Sequence, residues 1–395
     1  MEVSSMKEIE SLKKNIIDNI DSQCKELFQL SHRIHDNPEL GFEERKAASW
    51  LSEYLHDKEF HIEKGIAGLA TAFMATYGQG TPKVAIIAEY DALPKLGHAC
   101  GHNIIATSSV GAGIAAKAAV DAFGGSIIVI GTPAEEIFGG KIDMVKAAVF
   151  DDMDIAMMVH PSTLNAATIL ALALNNLEVE FFGKPAHAAA YPYKGINALE
   201  AMILSFNNIN SLRQHIKEDS RIHGIITDGG EAPNIIPAHT AGLFIIRSMD
   251  NVYLEELKDK VLNCFKGAAT ATGATLKYKW EEKMYASMKN NMTMAGLFRQ
   301  NMKSLGRTME DLTPSYVIGS TDMGNVSQIV PSIHATVAIA PPTVTIHTSD
   351  FSAAAISESG NKGLADAAKS MAMTIVDILG CPETLENIKE EFRSS

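Results

Sequence analysis

Apolar residues at Ile16, Ile20, Cys24, Leu27 and Phe28 fall at helical spacing, so the chain is predicted to open with helix. Asn37-Pro38 interrupts the pattern, because proline disfavours helix in the residue before it. A second helix is predicted from about Phe42 to His56. The period then changes. Short β-like runs follow at Ala70–Tyr77, Val84–Ala88 and Ser126–Ile130, with a small-residue helix, Ile104–Ala119, between the last two. Strands alternating with helices predict a sheet flanked by helices.

The middle of the chain reads differently. Leu172–Phe182 alternates like a half-exposed strand, Ala198–Leu212 is helical, and Arg221–Thr227 and Thr240–Met249 are strand-like. A long helix, Val252–Thr272, and a strand, Leu276–Lys283, complete the order β-α-β-β-α-β of a small ferredoxin-like module. After Met288 helical and β runs resume, and the final helix is predicted over about Ser357–Leu379. The expected architecture is an α/β domain in two parts, residues 1–172 and 289–395, interrupted by an inserted α+β domain at residues 173–288. A length of 395 residues fits, since roughly 150 per domain gives two or three.

Composition narrows the function. Apolar residues at 46% and charged residues at 21% exclude wholesale disorder. With 34 Lys and Arg against 47 Asp and Glu, the formal charge is −13, which argues against nucleic-acid or anionic-membrane partners. Cys24, Cys100, Cys264 and Cys381 are too scattered for a disulfide framework and fit a reducing compartment. The N-terminus lacks an apolar signal core. Continuous apolar stretches, such as Ser126–Ile130 and Val337–Ala340, fall far short of a bilayer span. A soluble, cytoplasmic protein is expected.

Four segments carry candidate chemistry. GHACGHN (Gly97–Asn103) sets Cys100 and His102 one residue apart in a turn, and thiolate and imidazole are good ligands for a divalent transition metal. An isolated Cys-x-His is more often a buried Cys beside a capping His. Glu135 and Glu136 follow the strand SIIVI, where open α/β sheets place ligands, although acids also favour any helix N-terminus. His160 closes AMMVH and His347 stands in TIHTSDF; singly, each reads as a satisfied histidine. Together, Cys100, His102, Glu136, His160 and His347 are five donors, too many for one tetrahedral ion and suited to a metal pair. Glu135 is then the free carboxylate that takes a proton from water and returns it to the leaving amine.

The runs HRIHDNPELGFEE (His32–Glu44), EYDALP (Glu89–Pro94), GHACGHN, GTPAEE (Gly131–Glu136) and MMVHPS resemble the aminoacylase/carboxypeptidase family of dinuclear metallopeptidases. GKPAHAA, GGEAPNIIP, FIIR, STDMG (Ser320–Gly324) and HTSDF extend the resemblance in family order over nearly the whole chain. Within the family the pattern is similar to the amidohydrolase subfamily, and most to its p-aminobenzoyl-glutamate hydrolase and β-alanyl-lysine dipeptidase-like branch. The resemblance implies a zinc-peptidase-like domain with a mixed sheet, and an inserted lid that mediates a homodimer or a higher homo-oligomer. It implies metal ligands at Cys100, His102, Glu136, His160 and His347, Glu135 as general base and Asp91 orienting a ligand. It also implies His223 as an oxyanion donor reaching a partner's site, with Asn234 and Arg247 gripping the substrate carboxylate. The implied substrate is an N-acyl amino acid or small peptide. Two divalent ions are expected per subunit, zinc favoured by thiolate and imidazole, with manganese and cobalt open.

Two departures stand out. Asn103 replaces the subfamily's usual Asp, and Glu89-Tyr90 replaces its usual Arg or His before DALP. Two rival functions compete with amide hydrolysis. A nucleotide-dependent oxidoreductase rests on Gly111-Ala112-Gly113, which falls inside a predicted helix rather than at a strand end, where close helix packing explains it. A catalytically silent metal-binding scaffold of the same fold is opposed by Glu135, which has no evident structural duty. His98 and His187 read as structural or supporting, and the 18 methionines as core filler.

Overall fold

The computed structural model describes residues 3–311 and 319–394. Its strands, in chain order, are β1 (His61–Lys64), β2 (Phe73–Gln79), β3 (Lys83–Glu89), β4 (Gly125–Thr132), β5 (Ile155–Ser162), β6 (Ala173–Phe182), β7 (Arg221–Asp228), β8 (His239–Ser248), β9 (Thr275–Trp280) and β10 (Ser332–Ala338). The chain divides into two compact units, one formed by Met1–Leu170 with Met288–Ser395, the other by Ala171–Ser287.

The first unit is built on a mixed sheet in the order β1-β2-β4-β3-β5-β10. The β1–β2 and β2–β4 pairs are antiparallel, and β4, β3, β5 and β10 run parallel. The central strands are apolar along their length because both faces are covered. Ile86, Val129 and Met157 face the helices Val3–His35, His102–Phe123 and Glu358–Leu379 through Ile20, Leu27, Val110 and Leu364. Ile87, Ile128, Ile130 and Met158 face the other way, onto Met144, Met323 and Val330. Successive side chains alternate between these two cores, as the period of a strand requires.

Helix His102–Phe123 is long and apolar enough to cross a membrane by length and composition, yet most of its residues are buried in this unit. A search for unbroken apolar runs passes over it, because Ser, Thr and Gly interleave the aliphatic residues. Its glycines serve packing. A Cβ at Gly111 would lie 2.9 Å from Leu27 Cδ1, and one at Gly113 would lie 2.5 Å from Val129 Cγ2. The C-terminus corrects the sequence reading. Helix Glu358–Leu379 is followed by another, Pro382–Ser394, which buries only Leu385 and Ile388. Two apolar positions are too few to raise a periodic signal.

The second unit is an antiparallel sheet in the order β7-β8-β6-β9, the ferredoxin-like arrangement. Helices Ala198–Leu212 and Asn251–Thr272 cover one face, packing on Leu177, Val179, Phe181, Phe244 and Ile246. Both helices have side-chain caps: Asn197 and Asp250 each accept two backbone N–H bonds of the first turn. The other face of β7 and β8 is open, with Ile225 62% and Leu243 47% exposed.

Candidate metal centre

Because β4, β3, β5 and β10 are parallel, their carboxyl ends share one edge of the sheet, where ligands collect in open α/β folds. The segment after β3 carries Asp91 and then Cys100, Gly101 and His102. Gly101 has φ 78°, and a Cβ there would meet Pro161 Cγ at 2.4 Å, so the turn that separates thiol from imidazole admits only glycine. His102 Nδ1 lies 2.9 Å from the Asp91 carbonyl and 3.0 Å from its carboxylate, which directs Nε2 the other way. The second Asp91 oxygen accepts the Glu136 N–H at 2.9 Å, so one carboxylate orients two segments.

After β4 the chain turns through Ala134, at φ 61°, into the short helix Glu135–Phe138. The Ala134 N–H donates to Glu44 Oε1 at 2.8 Å, and the Thr71 hydroxyl donates to Glu44 Oε2 at 3.0 Å. Burial pushes the Glu44 carboxyl up to about 7. His160 comes from β5, and its Nδ1 donates to the Pro161 carbonyl at 2.7 Å, leaving the Nε2 lone pair facing the Cys100 sulfur. Burial, with His102 nearby, lowers its pKa to about 4, so the ring is a neutral ligand at ordinary pH. His347 also has a left-handed backbone, φ 67°, and its N–H bonds the Ala99 carbonyl at 2.9 Å, tying its loop to the cysteine turn. Non-glycine residues in that region are held by their surroundings, often at functional sites.

The donor atoms converge. Cys100 Sγ lies 3.4 Å from His160 Nε2 and 3.3 Å from His347 Nε2, and Glu136 Oε1 lies 3.8 Å from His102 Nε2 and 3.6 Å from His347 Nε2. Three groups have ligand atoms within 4.8 Å of one another: Cys100 with His102 and His160, Cys100 with Glu136 and His347, and His102 with Glu135 and Glu136. His102 Nε2 and Glu136 Oε1 are buried without a hydrogen bond among the described residues, which is costly unless something positive lies between them. Burial works against a charged His102, but Asp91 outweighs it and raises the pKa well above the usual value: this spot favours a cation. Burial lifts the Cys100 thiol, and a bound metal would instead hold it as thiolate. The donor set therefore fits transition-metal ions.

Three residues that the sequence reading did not assign complete the surroundings. Lys141, fully buried, pairs with Glu89 and Asp322 at 2.6 Å each, and its backbone N–H also reaches Asp322. Glu89 Oε2 is 3.6 Å from His102 Nε2. Burial raises Asp322 to about 6, and burial with Glu89, Asp322 and Glu136 raises Glu135 well above the usual carboxylate range. Lys141 thus pairs with Glu89 and Asp322 while Asp91, Glu135 and Glu136 gather around His102, an excess of acidic groups that divalent cations would offset. EYDALP and STDMG contain Glu89 and Asp322 without marking a role for either, and nothing in GGKIDM marks Lys141 as buried. The donors open onto a cavity of about 220 Å³, whose wall also includes Ser162, Ile169, Thr321, His334 and Ile346.

His223, Asn234 and Arg247 lie in the other unit. His223 on β7 and Arg247 on β8 occupy adjacent strands, and Asn234 sits in the loop between those strands. His223 and Asn234 are exposed, and Arg247 is half-buried. Partial burial and the Arg247 guanidinium hold the His223 pKa down. Asn103 does not supply the charge its position could have carried: its amide donates to Ser31 Oγ at 2.9 Å, joining two helices. His98 is buried with both ring nitrogens unbonded among the described residues, and exposed His187 accepts the N–H groups of Ala189 and Ala190.

Residues 85–365 match the profile of peptidase family M20/M25/M40. The chain is 38% identical over 406 residues to the Xaa-Arg dipeptidase of Mus musculus, covering 99% of this chain and 94% of that protein. Compared with the Xaa-Arg dipeptidase of Homo sapiens it is 36% identical over 406 residues, covering 98% and 93%. Among solved structures, a dinuclear metal binding peptidase of the M20 family from Bacillus subtilis superposes with a TM-score of 0.73 at 19% identity, covering 91% of this chain and 99% of that one. That level of identity speaks to the fold alone.

Proposed function

The chain belongs to peptidase family M20/M25/M40, a hydrolase family, and on that premise we propose that it cleaves the amide bond of a dipeptide or N-acyl amino acid at a dinuclear metal centre. The supporting observation is the set of five donors converging at one sheet edge, with the His102 and Glu136 atoms buried and unbonded among the described residues. Cys100, His102, Glu136, His160 and His347 would hold the ions, zinc favoured by the thiolate and imidazoles. Two divalent ions supply Lewis acidity there, acidifying water and polarising the scissile carbonyl.

The protein's own side chains do the rest. Glu135 sits within ligand reach of His102 and Glu136, and accepts the proton of the attacking water. Asp91 fixes the His102 ring so that Nε2 faces the centre. Arg247 and Asn234 bind the substrate carboxylate, and His223 donates to the carbonyl oxygen as it gains charge. Ile225 and Leu243 on the open face of the inserted sheet make an apolar surface suited to a second copy, so that His223 serves the partner's site. A reducing, cytoplasmic setting suits the four unpaired cysteines.

A panel of dipeptides and N-acyl amino acids, incubated with protein reconstituted with zinc, manganese or cobalt, tests the reading. Amine release that a chelator abolishes and metal restores is expected. No cleavage of any member by any metal form would refute it.

A further inference from the structure

His334 lines the cavity beside the metal-binding donors and belongs to none of them. It stands on β10, is 4% exposed, and has Nδ1 buried without a hydrogen-bond partner among the described residues. Its ring stacks on His160, with centroids 5.6 Å apart and planes at 28°, which fixes its direction. A buried polar ring with spare hydrogen-bonding capacity at a cavity wall is costly unless a ligand uses it. Neighbouring hydroxyls do not: the Thr336 hydroxyl donates to Leu164 O and accepts Ala166 N–H, and the Thr321 hydroxyl accepts Met323 N–H.

The rest of the wall limits what that ligand can be. Beyond the metal donors and Glu135, no ionised side chain among the described residues faces the cavity, and Ile169 and Ile346 supply apolar surface. Past those donors, an ionised group on the wall formed by His334, Ile169 and Ile346 would have no ionised side-chain partner among the described residues. At about 220 Å³ the space is below the range usual for drug-sized ligands, so it takes a short group. Resting on the amide-hydrolysing reading, with the amine product's carboxylate assigned to Asn234 and Arg247 of the inserted unit, the part of the substrate left for this wall is the acyl chain.

We propose that His334 is a specificity residue of the acyl subsite, hydrogen-bonding short, uncharged polar acyl chains in preference to aliphatic ones of equal size. A neutral imidazole offers one donor and one acceptor, so a hydroxyl can satisfy whichever nitrogen it meets.

The test compares N-(3-hydroxypropionyl) and N-butyryl derivatives of one amino acid, which differ by a hydroxyl in place of a methyl. The wild-type metal-loaded enzyme should favour the hydroxyl-bearing substrate by about tenfold in kcat/KM, the worth of one hydrogen bond. His334→Phe keeps a ring without its nitrogens and should lose that preference, whereas His334→Gln should keep part of it; His334→Met replaces His334→Phe if thermal melts show it unfolded. Calorimetric binding of 3-hydroxypropionate and butyrate gives a readout without turnover, with the same order expected in wild type and its loss in His334→Phe. Cleavage of both substrates at a ratio unchanged by His334→Phe overturns the proposal. Absence of any cleavage would count against the amidohydrolase reading instead, and the acid-binding comparison would still decide the role of His334.

Discussion

In the sheet unit, Cys100, His102, Glu135, Glu136, His160 and His347 meet at the carboxyl edge of the parallel strands, buried or half-buried apart from His347, with donor atoms a few ångströms apart. In the inserted unit, His223 and Asn234 are exposed and, with Arg247, lie around an open sheet face. The first group is locked in by folding: Asp91 bonds both His102 and Glu136, Glu44 holds the turn before Glu135, and Lys141 joins Glu89 to Asp322. The second group is presented by two adjacent strands and the loop that joins them. A site that must gather negative charge has to be built into the core, whereas donors that meet a substrate can wait at a surface. Changes in the first region should therefore disturb stability or metal content, and changes in the second should disturb turnover alone. Glu135, which meets the substrate from within the first region, is the exception that joins the two.

The largest effect is expected at Glu135. Glu135→Gln keeps the shape of the side chain but removes the proton acceptor, so kcat should fall roughly 10²–10⁴-fold with KM and metal content little changed. Turnover equal to wild type would mean that water is activated without it.

Lys141→Met tests whether the surroundings of the centre are structural. Removing the ammonium leaves Glu89 and Asp322 buried beside each other without a counter-charge, which should destabilise the sheet unit by about 3–5 kcal/mol in denaturant unfolding of the metal-free protein. A variant as stable as wild type would show that the two carboxyls are protonated in the folded state and need no cation.

His223 should behave in the opposite way. His223→Ala should leave unfolding and metal content unchanged and lower kcat about 100-fold, the typical worth of one preorganised oxyanion donor. Mixing it with Glu135→Gln under conditions of subunit exchange then asks where it acts. Recovered activity is expected, because a mixed dimer has one site with both residues intact. Confirmed exchange without recovery would place His223 in its own chain's site, or outside catalysis.

What the sequence revealed differs between the two regions for physical reasons. Helix Ala198–Leu212 and the alternating strand β6 each bury one face against one core, so period alone locates them within a residue or so. Helix Pro382–Ser394 escaped because only two of its residues are buried. Donor residues stood out because thiol, imidazole and carboxylate at strand ends are chemically conspicuous. Lys141 and His334 did not, since their significance lies in burial and in partners far away in the chain. Lys141 would pass as an ordinary surface lysine until Glu89 and Asp322 are brought to it, and His334 as one more strand residue until its cavity is formed.

If the sheet unit holds two divalent ions through the five converging donors, Cys100 is the most sensitive of them, since its sulfur approaches both His160 and His347. The direct measurement is elemental analysis of metal-reconstituted wild type and Cys100→Ala protein, with X-ray absorption at the metal edge. Wild type should carry about two ions per chain with sulfur among the nearest neighbours. Cys100→Ala should lose at least one ion and the sulfur signal while remaining folded. Full metal occupancy in the variant, with an unchanged absorption spectrum, would contradict the assignment.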